Sequence, residues 1–246
     1  MARDEALLVG CVGPSAVPAL RFYGWSPATV SLGYFQDYAE FESLKPPAGR
    51  LPVVRRTTGG GAILHDLELT YAMVIPMEHS LVGGQPGRLY ALAHAAIIEA
   101  IGPAARLFGV AGGACGSSAR QGPFFCFARR HDVDVVVDDA RAPGGVSKIA
   151  GSAQRRTSHA VLQHGSIILD SRYSQQPAAT WRQVAGEIAF EEAVSLLAAA
   201  FARTMGIALQ TGPWTEPELD AARRLHLRYA GDAWTVRRER GEPVVA

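Results

Sequence analysis

The stretch covering residues 144–169 constrains the fold more than any other part of the chain. Residues 147–155 and 160–169 each carry the apolar and small side chains typical of a strand, and the polar residues 156–159 separate them. Two such segments joined by a short polar turn are typical of antiparallel strands. We therefore predict a β-hairpin, around which the other elements are arranged.

This hairpin contains a lysine in a chain that otherwise carries almost none. Of the 24 basic residues, only Lys45 and Lys148 are lysines, and the remainder are arginines. Because a surface cation in this composition is expected to be Arg, Lys148 indicates a need for a compact ammonium donor, which a guanidinium would replace poorly. The alternative is a solvated lysine that happens to precede a strand.

Length and charge limit the classes of protein to which the chain can belong. Its 246 residues suffice for a single domain with a sizeable core. A formal net charge of +1 argues against a non-specific nucleic-acid binder, because such proteins carry a clear excess of positive charge. Apolar runs stay well below the roughly 20 residues of a membrane span, and the first residues lack the features of a signal peptide. We expect one cytoplasmic domain over residues 1–246, with no nucleic-acid or membrane partner.

The cysteine pattern predicts free thiols rather than disulfides or a metal site. The cysteines are odd in number and lack the close spacing of metal ligands; they are Cys11, Cys115 and Cys126. This pattern indicates a reducing compartment and no bound metal.

Cys126 lies among three aromatic residues, Phe124, Phe125 and Phe127. Such a cysteine is either a small buried hydrophobe or a nucleophile beside an apolar channel. Apolar surroundings disfavour a thiolate, so a reactive thiol there needs a nearby cation, which Lys148 could supply. A Cys and Lys pair together with glycine-rich backbone amides is sufficient for acyl transfer through a thioester.

Residues 53–66 contain a second informative segment, with Gly59, Gly60 and Gly61 in succession after Arg55 and Arg56. Consecutive glycines let the backbone approach a ligand closely, and the arginines bring positive charge to the same edge. The spacing matches neither a phosphate-binding Walker loop nor a dinucleotide fingerprint. The segment is therefore either a cradle for an anion or a carbonyl group, or a tight β-turn.

Hydrophobic periodicity predicts a mixed fold. Helical spacing indicates helices that end near residue 8 and that cover residues 87–101, 189–205 and 216–229, whereas alternation indicates strands at 28–35, 70–76, 106–110 and 132–138. His94 is predicted to be an ordinary residue on a helix face, and residues 111–123 are predicted to form a glycine-rich loop. Strands with helices on one face favour a mixed α/β (α+β) domain over a βαβ array.

Five segments together resemble the biotin/lipoate ligase and octanoyltransferase superfamily. They are residues 1–8 (Met-Ala-Arg-Asp-Glu-Ala-Leu-Leu), 25–36, 55–66 (Arg-Arg-Thr-Thr-Gly-Gly-Gly-Ala-Ile-Leu-His-Asp), 148–155 (Lys-Ile-Ala-Gly-Ser-Ala-Gln-Arg) and 163–169 (Gln-His-Gly-Ser-Ile-Ile-Leu). Glu68-Leu69-Thr70-Tyr71 and Cys126-Phe127 look most like the LipM-type octanoyltransferases within it. The resemblance implies a class II biotin/lipoate ligase-like catalytic domain, with helices packed on a mixed, largely antiparallel sheet.

The resemblance also implies an activity and its site. The expected reaction moves octanoyl from acyl carrier protein to the acceptor lysine of a lipoyl domain, such as the glycine cleavage H protein, without a cofactor. Cys126 would carry the acyl group as a thioester and Lys148 would be its cationic partner. The expected substrate contacts are Arg55, Arg56, Gly59, Gly60, Gly61, Ala62, His65, Gly151, Ser152, Ala153, His164 and Gly165.

Other functions stay open at this stage. An ATP-dependent lipoate-protein ligase would hold an acyl-adenylate with Arg55, Arg56 and the glycine loop, and Gly61 matches the ligases at a position where the transferases tend to carry Arg. Against it, the residues after the hairpin are mostly assigned to helices, so we expect no C-terminal accessory domain. A lipoyl or octanoyl amidotransferase and a non-catalytic acyl-binding paralogue are further alternatives, and Cys115 is a rival nucleophile.

Overall fold

The computed structural model describes residues 1–13, 15–109 and 122–239. Nine strands lie within these ranges: β1 (Ala19–Tyr23), β2 (Thr29–Leu32), β3 (Val53–Arg55), β4 (Ile63–His65), β5 (Glu68–Pro76), β6 (Ala105–Leu107), β7 (Val135–Asp138), β8 (Val146–Arg156) and β9 (Ala160–Ile168). The α-helices in the same ranges are α1 (Ala2–Gly10), α2 (Tyr38–Glu42), α3 (Arg88–Ile101), α4 (Trp181–Ala185), α5 (Phe190–Met205), α6 (Glu216–Ala230) and α7 (Asp232–Thr235).

The predicted hairpin is confirmed and forms the centre of the main sheet. β8 and β9 pair antiparallel from Ala150 opposite Ile167 to Arg156 opposite Val161. The six strands of the sheet follow the order β1-β5-β9-β8-β7-β6, and every neighbouring pair is antiparallel. The predicted mixed fold with a largely antiparallel sheet is therefore confirmed.

Both faces of this sheet are covered, because the side chains of β5 alternate between two apolar clusters. Leu69 and Tyr71 face a cluster that includes residues of α3 and α5, whereas Ala72 and Val74 face a cluster that includes α1. Successive side chains of a strand point to opposite faces of the sheet, so both sets of side chains are buried only where helices pack on both faces. The expectation that helices pack on one face alone was wrong.

A smaller sheet in the order β3-β2-β4 adjoins the main sheet and carries the glycine loop. β2 pairs parallel with β3 and antiparallel with β4, so the loop between β3 and β4 crosses the end of β2. Its core contains Leu32, Phe41 and Phe125, among others. The segment just before Cys126 is held here by a bridge between Ala62 and Phe125.

The long helices were predicted closely from their sequence pattern. α3 buries Leu89, Ala93 and Ile97 at helical spacing and ends at Gly102, whose φ of 93° lies in a region that L side chains rarely adopt. α6 begins with a capping box in which the Thr215 side chain accepts from the Glu218 backbone amide. Among the described residues, no helix combines the length and apolar character needed to cross a membrane.

Candidate active site

A cavity of about 420 Å³ lies between β8, β9 and the glycine loop. That volume falls within the range of small-ligand sites. Its walls contain most of the residues predicted to contact substrate, namely Arg56, Gly59, Gly60, Gly61, His65, Cys126, Lys148, Gly151, Ser152, Ala153, His164 and Gly165.

The structure brings Cys126 and Lys148 together at the cavity wall. Cys126 begins a short 3-10 turn, Cys126–Ala128, directly after the bridge from Phe125 to the glycine loop. Lys148 lies on β8 and its Nζ is 3.6 Å from the Cys126 Sγ. The thiol is half-buried and faces the cavity, so a ligand can reach it.

Asp134 holds the Lys148 ammonium in place. Its Oδ1 lies 2.8 Å from the Lys148 Nζ, and both side chains are almost fully buried. Burial by itself would favour the neutral amine, but the neighbouring Cys126 and Asp134 outweigh it and raise the pKa of Lys148 above its ordinary value. Lys148 therefore carries its charge at neutral pH.

Gly151 fixes the position of the ammonium from the other side. A Cβ at this position would lie 2.3 Å from the Lys148 Cε and 2.5 Å from its Nζ. Real Cβ contacts essentially never come this close, so the lysine can occupy its site only because residue 151 has no side chain. This packing explains why a glycine follows three residues after the lysine on the same strand.

Arg56 shapes the glycine loop instead of offering a free cation. Its Nη1 donates to the carbonyl oxygen and hydroxyl of Ser31, and its Nη2 donates to the carbonyl oxygens of Gly59 and Gly61. The Nε reaches the Thr58 hydroxyl, which occupies the fifth N–H of the guanidinium. Burial lowers the pKa of Arg56 to about 10, so the guanidinium stays charged at neutral pH. Its positive charge lies at the cavity wall, although its N–H groups are bonded to the loop.

Two predicted contacts lie outside the cavity. Arg55 is the last residue of β3 and is fully buried, and it donates to the carbonyl oxygens of Gly33, Gln36 and Thr235. Ala62 uses its amide and carbonyl in the bridge, since its N donates to the Phe124 oxygen and its oxygen accepts from the Cys126 N. Both residues place the loops around the site, and the prediction that they contact substrate is corrected.

His65 and His164 line the cavity with both ring nitrogens occupied. His65 contacts the Glu68 carboxylate at 2.7 Å and the Ser31 hydroxyl at 2.6 Å. His164 contacts the Thr58 hydroxyl at 2.7 Å and the Asp4 carboxylate at 3.3 Å, and burial lowers its pKa despite that carboxylate. Neither ring offers a free nitrogen to a ligand in this arrangement, so both serve first as parts of the wall.

A chain of side chains fixes Ser152 on the opposite side of β8. Its hydroxyl lies 2.7 Å from the Tyr71 hydroxyl and 2.6 Å from the Nε2 of His94. His94 also contacts the Val133 carbonyl through Nδ1, which makes that nitrogen the donor and Nε2 the acceptor. Burial lowers the pKa of His94 to about 4, so this ring is neutral and buried, not an ordinary residue on a helix face.

Sequence analysis missed Asp134, although a signal was present. Asp132 and Asp134 precede the three valines that begin β7. Because β7 pairs with β8, a carboxylate just before β7 is a natural partner for Lys148. Phe124 and Phe125 were expected to frame Cys126, but of the three phenylalanines only Phe127 is among the residues lining this cavity. Cys115 and most of the predicted glycine-rich loop lie outside the described residues.

These contacts define what the site can do chemically. A buried ammonium held against an accessible thiol stabilises the thiolate and any oxyanion formed beside it. The cavity next to it has room for an acyl group. The arrangement is therefore suited to nucleophilic acyl transfer through a thioester on Cys126.

Comparison with known proteins shows the family of the chain. The model of the lipoyl protein ligase A/B catalytic domain matches residues 1–208. Octanoyltransferase LipM of Brevibacillus brevis is 32% identical in an alignment of 272 positions, which covers 97% of this chain and 94% of that protein. Octanoyltransferase LipM of Symbiobacterium thermophilum is 33% identical over 271 residues, covering 97% and 93%.

Solved structures show the same fold at lower identity. The putative lipoate protein ligase from T. acidophilum with bound lipoic acid superposes with a TM-score of 0.73 at 22% identity, covering 96% of this chain and 91% of that one. Lipoate-protein ligase A bound with ATP gives a TM-score of 0.69 at 21% identity, covering 95% and 91%.

Proposed function

Because the chain belongs to the lipoyl protein ligase A/B catalytic domain family, we propose that it is an octanoyltransferase that acts through a thioester on Cys126. It moves octanoyl from acyl carrier protein to the acceptor lysine of a lipoyl domain. The names of the similar LipM proteins support the acyl group. The observation that carries the proposal is the contact between Cys126 and the buried Lys148 ammonium.

In the first half-reaction, the Cys126 thiolate attacks the carbonyl carbon of the donor thioester. The new bond joins Sγ to the octanoyl carbon, and the bond from that carbon to the carrier sulfur breaks. The Lys148 ammonium lies beside the Cys126 Sγ and protonates the departing carrier thiolate, which leaves as a thiol.

In the second half-reaction, the amine of the acceptor lysine attacks the octanoyl carbon and forms an amide. Cys126 leaves as a thiolate, and the proton lost by the amine returns to Lys148, which regains its charge. Asp134 stabilises that charge at 2.8 Å, so the pair of residues ends the cycle as it began. No ATP enters either step.

Mass spectrometry of the acylated protein tests the proposal. Incubation with octanoyl-acyl carrier protein without ATP is expected to add one octanoyl group, labile to hydroxylamine, on the peptide that contains Phe125-Cys126-Phe127. Cys126→Ala should abolish both the adduct and transfer to a lipoyl domain. Cys11→Ala and Cys115→Ala are the matched controls and should retain both.

Two results would contradict the proposal. An octanoyl adduct on Cys115 would place the nucleophile elsewhere. Tight acyl binding without any adduct would make the chain an acyl-binding protein.

The second candidate function is an ATP-dependent lipoate-protein ligase. Its support is the shared fold with a lipoate-protein ligase bound with ATP, together with a glycine at position 61. A side chain at that position would meet the Cys126 backbone nitrogen at 3.0 Å, which gives the glycine a local packing reason of its own. Acyl transfer that requires ATP and free acid would favour the ligase.

A further inference from the structure

β8 has an open edge beside the active site. β7 pairs with β8 only as far as Ala150. From Gly151 onward, within the described residues, β8 therefore has a partner strand only in β9. The cavity wall includes this stretch from Gly151 to Gln154. The backbone of Gln154 is hydrogen-bonded to Tyr90, so the part of this edge without a described partner lies at residues 151–153. Backbone groups along an unpaired strand edge can bind an extended ligand that carries amides.

The cavity has a closed end and an open end on the two sides of Lys148. Towards β5 and β9 the wall is formed by Thr70, His164 and Ser166, which are 3%, 5% and 1% exposed. Towards the edge of β8 it is formed by Val133, which is 39% exposed, and by the half-buried Tyr90. An acyl chain attached to a carrier must enter the closed end first, which leaves the arm of the carrier at the open end.

Distances along β8 match the length of that arm. Gly151 lies against the Lys148 ammonium, and Arg155 and Arg156 follow it by four and five residues, which is about 13 and 17 Å along a strand. In a phosphopantetheine arm thirteen bonds separate sulfur from phosphorus, and these span about 16 Å when extended. The side chain of an acceptor lysine spans only about 6 Å and cannot cover this distance.

The charge at the end of this path suits the same ligand. Arg155 and Arg156 are both exposed, and Arg156 is oriented by the Gln154 side chain, to which its Nε and Nη2 donate at 3.1 and 2.8 Å. Guanidinium groups bind phosphates through paired hydrogen bonds. Arg155 and Arg156 are consecutive residues of β8, so their side chains leave opposite faces of the sheet, and both can reach one phosphate only if it lies at the open edge between them.

We propose that the open edge of β8 holds the phosphopantetheine arm of an acyl carrier protein, with its phosphate and the acidic surface around it at Arg155 and Arg156. This inference rests on the proposed function and names the docking path of its donor. The arm passes residues 151–154, with its amides beside the edge at residues 151–153 and its far end beside Tyr90 and Gln154. The acceptor lysine, whose reach is short, then approaches Cys126 by another side of the cavity mouth.

Donors of graded length test the proposal. Single-turnover acylation of Cys126 is measured with octanoyl-acyl carrier protein, octanoyl-CoA, octanoyl-pantetheine and octanoyl-N-acetylcysteamine. The test variant is Arg155→Ala/Arg156→Ala. The matched control is Arg223→Ala/Arg224→Ala, which removes another adjacent exposed pair from α6.

The test variant is expected to raise the half-saturating concentration of octanoyl-acyl carrier protein by roughly tenfold, as two exposed ionic contacts can. Acylation by the N-acetylcysteamine thioester, which lacks the phosphate, should change less than about twofold. In the unmodified protein, octanoyl-pantetheine should acylate faster than N-acetylcysteamine thioester at equal concentration. The α6 control should resemble the unmodified protein with every donor.

Three results would overturn the proposal. Equal losses with the long and short donors would make the arginine pair a structural feature of the hairpin. An unchanged response to acyl carrier protein would exclude Arg155 and Arg156 as its contact. Equal use of octanoyl-CoA, with the same dependence on the arginines, would overturn the carrier protein as the occupant. Failure of the proposed function is distinct, since the unmodified protein would then form no adduct with any donor.

Discussion

Replacing Gly151 by alanine should disable the site while changing only one methyl group. The added Cβ would lie 2.3 Å from the Lys148 Cε and 2.5 Å from its Nζ, and the Asp134 Oδ1 would lie at 3.3 Å. Ordinary contact needs about 3.4 Å, so the lysine end must move by about 1 Å. The Asp134 carboxylate is crowded by the same methyl group, and we expect the ammonium to move away from Cys126.

The cost of that movement can be worked out from the observed distance. At an effective dielectric constant of about 20, the attraction between ammonium and thiolate is about 4.6 kcal/mol at the 3.6 Å separation and about 3.5 kcal/mol at about 4.7 Å, a loss of about 1 kcal/mol. Loss of the charge-assisted hydrogen bond adds about 1.5 kcal/mol or more. Together these come to about 3 kcal/mol, which corresponds to a loss of about 10²-fold in the acylation rate.

Single-turnover acylation, quenched in acid and followed by intact mass, measures this effect. Thermal unfolding of the same samples separates a displaced lysine from a misfolded chain. Gly49→Ala is the matched control, because its Cβ would meet the Leu44 carbonyl oxygen at 2.1 Å in a loop away from the cavity. That variant should lose stability but acylate normally when folded.

The reasoning is refuted if Gly151→Ala acylates at nearly the rate of the unmodified protein and is equally stable. Such a result would mean that Lys148 has room to relax without losing its contact with Cys126. A loss of stability without any loss of rate in the folded fraction would lead to the same conclusion.

Four further predictions concern the groups around the site. Lys148→Arg keeps the charge but brings a larger, planar group against Gly151, so single-turnover acylation should fall on the order of 10²-fold; a rate close to normal would show that charge alone suffices. Asp134→Asn removes an anion that raises the pKa of Lys148, so the alkaline limb of the pH–rate profile should move to lower pH; an unmoved limb would separate Asp134 from the ammonium. The pKa of His94 is about 4 in the folded protein, against about 6.5 for an exposed histidine, so the unfolded chain binds more protons between these values. Stability should therefore fall by up to about 3 kcal/mol as pH drops from about 6.5 to 4. Urea unfolding at several pH values measures this slope, and His94→Gln should reduce it. Arg55→Met should lower the free energy of unfolding by about 3 kcal/mol through lost hydrogen bonds to buried carbonyls. Acylation by the folded protein should stay normal. A loss of rate without a loss of stability would show that Arg55 contacts substrate.

Much of the architecture could be predicted from the sequence, because the signals are local. Two segments of apolar and small residues joined by a polar turn within residues 147–169 predict the hairpin. Helical spacing predicts α3, α5 and α6 within one or two residues of their observed bounds. These patterns depend on which face of an element must be buried, which each segment encodes by itself.

The roles of the polar residues depended on their surroundings. Arg55 and Arg56 are adjacent in sequence and looked equivalent, yet Arg55 donates to backbone carbonyls within the core around the second sheet and Arg56 supports the glycine loop in the cavity. Arg55 ends β3 and Arg56 begins the loop that follows, and consecutive side chains of an extended chain point in opposite directions, so the placement of the second sheet decided which arginine lines the site.

The sequence by itself, with Cys115 as a rival, pointed to Lys148 and Cys126 as candidate reactive groups, since a rare lysine and a free thiol are chemically distinctive wherever they lie. Only the tertiary structure decided that they meet, because a bridge from Ala62 to Phe125 and the pairing of β7 with β8 bring Cys126, Lys148 and Asp134 from three separate segments. It also decided that Gly151 is the residue that leaves space for the ammonium. Contacts between distant segments depend on how the sheets pack, and no single segment carries that information.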